Sequence, residues 1–206
     1  MGLNTSVSAV VFDVGQVLVR WDMRCLFEKL IEDREELDWF LAHVVTEQWH
    51  FVHDSGVDLA ARIAERKLQF PGHANLIDAY ATRYSETIPG PVAGMPELVE
   101  ALAARDVPLF AITNFGAEFW DQFRPTEPML ELFADIVVSG VERIIKPDPA
   151  IFELAARRFY RKPGEMLFID DNPANIASAT ALGWHVHHFS DAGRLESDLR
   201  ERGLLD

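Results

Sequence analysis

Three acidic side chains stand at the ends of two apolar, strand-like runs: Asp13 follows Val7 to Phe12, and Asp170-Asp171 follow Met166 to Ile169. If the two runs are strands of one sheet, their carboxylates meet at one rim. Like charges at such range are strongly destabilising, so either some are protonated or a cation neutralises them. All-oxygen ligation with spare positions suits Mg2+, which keeps several waters and bridges to a substrate phosphate. Two further runs lead to polar groups: Leu109 to Thr113 runs into Asn114, and Asp135 to Ser139 is followed by Lys146, two residues before a helix cap at Asp148. A metal ion and a lysine facing one carboxylate, with Thr113 and Asn114 as neutral donors, describe a phosphoryl-transfer site.

The elements that must position these groups are legible in the pattern. Short, continuous apolar runs fit strands buried on both faces. A fifth run, Trp184 to Phe189, is weaker because His185, His187 and His188 interrupt it. Between the runs lie helices. One begins at Pro96, with Leu98, Ala101 and Leu102 on one face. Asp148 caps another, with Pro149 at its first position and a stripe of Ile151, Leu154, Ala155 and Phe159. Asn172-Pro173 repeats that start signal and Gly183 supplies the stop. Strands alternating with helices predict an α/β fold, a parallel sheet covered on both faces, with ligands at the carboxyl ends of its strands.

Residues 21–88 read differently. Leu26, Leu30, Leu37, Phe40, Leu41, Val44 and Val45, then Ile63, Leu68, Leu76, Ile77, Tyr80 and Tyr84, recur at helical spacing with no strand-like run. Turn signals at Asp54-Ser55-Gly56 and Pro71-Gly72 divide the helices, and Pro89-Gly90-Pro91 with Gly94-Met95-Pro96 marks the return to the sheet. The expected organisation is a core of residues 1–20 and 89–206, with a helical lobe of residues 21–88 inserted after the first strand. No internal repeat or low-complexity segment interrupts it.

In this order, Val-Phe-Asp13-Val-Gly15-Gln-Val-Leu, Ala-Ile-Thr113-Asn114, Ile-Ile-Lys146-Pro-Asp-Pro and Leu-Phe-Ile-Asp170-Asp171-Asn-Pro-Ala-Asn175 resemble the haloacid dehalogenase superfamily, across nearly the whole chain. The resemblance implies a Rossmann-like three-layer core, and the insert looks like the superfamily's type-one helical cap. It also implies a mechanism. Asp13 would attack phosphorus and form an aspartyl-phosphate that water hydrolyses. Mg2+ would be held by Asp13, the Gly15 carbonyl and an acid of the Asp170-Asp171 pair, Asp171 aligning with the usual ligand. Thr113 would bind a phosphoryl oxygen with the Asn114 backbone nearby, and Lys146 would hold nucleophile and phosphoryl group together.

Two positions depart from the family pattern. Most family phosphatases carry a second Asp, acting as general acid and base, where this chain has Gly15; such help is worth about 10²–10⁴ in rate. Asn175 stands where many members have an acid, a mild change because Asn keeps the hydrogen bond. The Asp-x-Gly form resembles a branch that includes a sugar-1-phosphate phosphatase, whose anomeric leaving group needs protonation less. The expectation is therefore a Mg2+-dependent hydrolase of small phosphorylated metabolites favouring anomeric or acyl phosphates, with Asp22 or water as surrogate base and Trp21 and Asp22 near the substrate. The alternatives are a metal-independent 2-haloacid dehalogenase and a binding or regulatory protein that kept the fold.

Composition narrows the field further. With 33 acids against 19 bases, the 206-residue chain carries −14. Such a surface repels nucleic-acid backbones and anionic lipid, so neither is expected as a partner. Cys25 stands alone, which fits a reducing, cytoplasmic setting. Met1 to Ser6 matches short myristoylation and glycosylation patterns and is read as an untargeted leader. His185 and His187 lack a third ligand, Glu47-x-x-His50 is half of a di-iron motif without its second copy, and all of these are expected to be structural or solvent-facing. Trp21, Trp39, Trp49 and Trp120 are expected to pack in the core or lobe, with lining of a pocket between the lobes as the alternative for Trp21 and Trp49. Arg83, His53 and Asp54 are candidates for specificity within the insert.

Overall fold

The computed structural model describes residues 7–206, so the patterns in Met1 to Ser6 lie outside the described residues. Its strands are β1 (Ala9–Phe12), β2 (Val19–Arg20), β3 (Gly90–Pro91), β4 (Leu109–Thr113), β5 (Asp135–Val138), β6 (Met166–Asp170) and β7 (His185–His188). Five of them form one sheet in the order β5-β4-β1-β6-β7, and every neighbouring pair is parallel. This is the α/β architecture that the alternation of runs predicts.

Side chains alternate between the two faces. Val10 and Phe12 enter one apolar layer and Ala9 and Val11 the other. The first layer is closed by α6 (Met95–Ala103) and α11 (Ala192–Glu201), the second by α9 (Pro149–Arg158) and α10 (Pro173–Ala181). With both faces of β1 fully buried, the strand is anchored by apolar transfer worth about 1.5–3 kcal/mol per large side chain. Asp148 and Asn172 cap α9 and α10 through their side chains, accepting from the N–H of Ala150 and Ala174 respectively.

Between β2 and β3 lie α1 (Arg24–Phe27), α2 (Arg34–His43), α3 (Glu47–Asp54), α4 (Leu59–Gln69) and α5 (Ala74–Thr82). Asp33, Thr46 and Asp58 cap α2, α3 and α4 by accepting backbone N–H bonds, each worth about 1 kcal/mol. Phe27, Phe40 and Tyr80 pack as the centre of this segment. Two expectations fail here. Leu68, placed on the apolar stripe, is 84% exposed, and Trp39, expected to pack inside, is 43% exposed and stacks on His43 at the surface. The sequence pattern also lacks the antiparallel ribbon of β2 with β3, which closes the base of the helical segment. No helix among the described residues is long and apolar enough to cross a membrane.

Candidate active site

Parallel pairing of Phe12 with Ile169 brings the next residues of β1 and β6 side by side, and the Asp13 N–H donates to the Ile169 carbonyl at 2.8 Å. One carboxylate oxygen from each of Asp13, Asp170 and Asp171 lies within 4.8 Å of the others. Lys146 reaches into this cluster from the loop before α9. Its ammonium is 2.8 Å from Asp13 Oδ1 and 2.7 Å from Asp170 Oδ2, and its side chain is 1% exposed. The lysine is aimed by Asn114, whose side chain donates to the Lys146 carbonyl at 2.9 Å and accepts from the Lys146 N–H at 2.8 Å. The Asn114 side chain thus positions Lys146, a task the sequence does not announce.

The acidic pair divides its work. Asp170 is wholly buried and saturated: it accepts from Lys146, from the Asn172 N–H, and through both oxygens from the Asn175 amide. Asp171 is exposed, and its carbonyl accepts from His188 Nε2. Asp13 receives both the Val14 N–H and Lys146 on Oδ1, which leaves Oδ2 without a partner among the described residues. One acid of the pair is expected to hold the metal, with Asp171 the one that aligns with the usual ligand. The free oxygens belong to Asp171 and Asp13, whereas Asp170 braces Lys146.

Electrostatics follow from this crowding. Burial pushes the Asp13 carboxyl up to about 8, and Asp170 adds to the rise although Lys146 and the Val14 amide oppose it. Asp171 is raised by burial and then by Asp170. Burial works against the Lys146 ammonium, but Asp13 and Asp170 overcome it and raise its pKa. One lysine therefore does not offset three carboxylates, and the donors on offer are all oxygens. That combination fits a hard divalent cation such as Mg2+.

The cluster opens into a cavity of about 320 Å³, with Asp13, Asn114, Lys146 and Asp171 on the sheet side and Trp21, His50 and Asp54 facing them from the helical segment. Trp21 lines the cavity. Asp22 does not: it belongs to a neighbouring hollow, and its carboxylate caps Arg24 N–H at 2.8 Å. Thr113 also lies outside the lining, its hydroxyl buried without a partner at the end of β4. An orphaned hydroxyl of this kind costs about 1–3 kcal/mol until an acceptor reaches it. His187 pairs with Asp198 at 2.9 Å and is structural.

Asp54, a specificity candidate of the insert, lines the cavity, and beside it stands His50, which the sequence pattern leaves as structural. Glu47, His50 and Asp54 fall three and then four residues apart, one face of α3, and all line the cavity. That spacing is the signal that could have found His50. His50 shares a hydrogen bond with the Tyr80 hydroxyl and sits 3.7 Å from Asp54, and burial lowers its pKa to about 3, so the ring is neutral.

The chain is 24% identical over 199 residues to a sesquiterpene phosphatase of Aspergillus oryzae, covering 96% of this chain and 97% of that protein. It is 27% identical over 198 residues to acyl-CoA dehydrogenase family member 10 of Mus musculus; the match covers 88% of this chain but only 18% of the mouse protein. A wild-type HAD family enzyme of Bacteroides thetaiotaomicron, solved in complex with magnesium and inorganic phosphate, superposes with a TM-score of 0.67 at 20% identity, covering 92% of this chain and 98% of that one. The family profile of haloacid dehalogenase-like hydrolases matches residues 7–183. Because that match takes in every strand but β7, and with them both halves of the acidic cluster, the chain belongs to the haloacid dehalogenase-like hydrolases.

Proposed function

We propose that this hydrolase is a Mg2+-dependent phosphatase of small phosphomonoesters, acting through an aspartyl-phosphate on Asp13. The observation that carries the reading is the acidic cluster within 4.8 Å beside a buried lysine. Asp13 Oδ2 attacks phosphorus, the phosphorus–oxygen ester bond breaks, and the leaving oxygen keeps the bonding electrons and takes a proton from water. Water then attacks the aspartyl-phosphate, releasing phosphate and restoring Asp13. Lys146 holds the nucleophile through Oδ1 and places positive charge beside the transferring group. Asn114, which lines the cavity, would meet a phosphoryl oxygen through its backbone, with Thr113 buried behind it outside the lining. Asp13, Asp171 and the Gly15 carbonyl would hold Mg2+, with Asp170 braced against Lys146. When bound, the ion supplies charge neutralisation for the phosphoryl oxygens.

Residues 21–88 serve as a cap over residues 1–20 and 89–206. The small cavity between Asp13 and α3 favours a small metabolite over a polymer. The −14 charge of the chain argues against nucleic acid and anionic membranes as partners, and a cytoplasmic place agrees with the single cysteine. Gly15 supplies no proton to the leaving group, so anomeric or acyl phosphates are favoured, in line with the resemblance to the sugar-1-phosphate branch. Water takes the role of base, since Asp22 lies outside the cavity. A 2-haloacid fits poorly: its carboxylate would enter a cavity already holding Asp13, Asp54 and Asp171, whose lining cation, Lys146, is committed to two acids.

The test is phosphate release from sugar 1-phosphates and sugar 6-phosphates. The expectation is release that stops in EDTA and in Asp13→Asn, with the 1-phosphates preferred. Halide release from 2-haloacids that persists in EDTA, without phosphate release, overturns the phosphatase. Equal rates on both sugar phosphates overturn the reading of Gly15.

A further inference from the structure

The part of the cavity formed by α3 has its own chemistry. Asp54 is 3% exposed, lines the cavity, and its Oδ1 is buried with no hydrogen-bond partner. Its other oxygen is 3.7 Å from His50 Nε2, and that imidazole is neutral, so it brings no countercharge. Glu47, exposed at the start of α3, lines the same cavity and adds a second acid. Lys146 is the cation of the lining, and Asp13 and Asp170 already claim it. Burial pushes Asp54 up to about 7, and the one opposing influence is a hydrogen bond from the Gly116 amide.

A buried carboxylate with a free oxygen is relieved most by a cation delivered into contact with it. An anionic group arriving there would meet Asp54 and Glu47 with no counter-ion. We propose that Asp54, with Glu47 at the opening, forms a subsite for an ammonium group on the substrate, so that the alcohol released by hydrolysis carries a protonated amine beyond the scissile ester. This rests on the phosphatase reading of Asp13 and adds the class of leaving group. The four rings of Trp21, His50, Tyr84 and Phe119 stack on one another and hold His50 rigidly beside Asp54. The subsite is therefore preformed.

Matched aryl phosphates test it, because a phenol leaves without needing a positioned acid. Aminomethylphenyl, hydroxymethylphenyl and carboxyphenyl phosphates, in their 3- and 4-isomers, are compared by kcat/KM in the presence of Mg2+. The expected order is ammonium over hydroxyl over carboxylate, with the first step at least about tenfold in one isomer series. Asp54→Asn is expected to bring the ammonium-to-hydroxyl ratio close to unity; because the readout is a ratio, a general loss of activity cancels. Should that variant lack a native circular dichroism spectrum, Glu47→Gln replaces it, with a reduction of the ratio expected. A wild-type preference for hydroxyl or carboxylate, or a ratio that survives Asp54→Asn in a folded protein, overturns the subsite. Turnover of unsubstituted phenyl phosphate without turnover of either ammonium isomer also overturns it, while leaving the phosphatase intact. Absence of phosphate release from every ester instead overturns the phosphatase.

Discussion

Replacing Lys146 with Met removes the charge at the centre of the acidic cluster while keeping the length of the side chain. The lysine makes charge-assisted contacts of 2.8 Å and 2.7 Å to Asp13 and Asp170, and all three groups are largely out of water. Methionine fills a similar volume, so packing loss is small. What remains is two carboxylates without a countercharge, and breaking such a buried pair costs about 3–5 kcal/mol. That is a large share of the roughly 5–15 kcal/mol by which domains are stable. The loss has a direction in pH. In the native protein Asp13 has a folded pKa of about 8, above its unfolded value, so its ionisation penalises the fold only up to that pH. Without the lysine the folded pKa climbs further, and the penalty continues to grow as pH rises beyond 8, by about 1.4 kcal/mol per unit. Urea denaturation of both proteins, followed by circular dichroism from pH 6 to 9.5, measures the difference. A destabilisation of about 3 kcal/mol or more that widens above pH 8 is expected. A loss under about 1 kcal/mol, or one that narrows as pH rises, would refute the view that Lys146 braces the cluster.

Restoring an acid at position 15 tests what its absence costs. A Cβ at Gly15 meets nothing within 4 Å, so Gly15→Asp is accommodated, and hydrolysis of unactivated alkyl phosphates is expected to rise, by up to about 10²–10⁴ in kcat. Titrating stability separates Asp54 from His50. The folded pKa of Asp54 is about 7, above its unfolded value near 4, so Asp54→Asn gains stability relative to wild type by about 1.4 kcal/mol per unit between pH 4 and 7. His50 has the opposite sign. Its folded pKa of about 3 lies below the unfolded 6.5, so wild type loses stability as pH falls through that window, and His50→Asn escapes the loss. At Gly140 a Cβ would fall 2.5 Å from Ala117 N and 2.7 Å from Phe115 O, so Gly140→Ala is expected to cost about 1–3 kcal/mol in a thermal melt.

The parts of the site that the sequence declares are those fixed by strand ends and caps. Asp13, Asp170 and Asp171 end continuous apolar runs, and the parallel pairing of β1 with β6 is what brings them together. Asp148 and Asn172 are legible because a cap needs only local spacing. Other features depend on contacts between distant segments. Asn114 bonds Lys146 across thirty-two positions, and nothing in either local pattern predicts it. β2 and β3 have two residues each, too few to display a period. Leu68, set between Lys67 and Gln69, keeps the helical spacing of the apolar stripe yet faces outward. Asp54 is among the specificity candidates of the insert, but His50 looks like an ordinary helix residue until α3 is laid over the mouth of the sheet.

Beryllofluoride binding observed by fluorine NMR tests the nucleophile and the cation together, since the anion mimics a phosphoryl group on an aspartate. With Mg2+ present, the wild-type protein is expected to show a bound fluorine signal that disappears in EDTA and in Asp13→Asn. A signal that survives either treatment, or none from a protein that turns over phosphomonoesters, would contradict an aspartyl-phosphate formed on Asp13 beside a divalent ion.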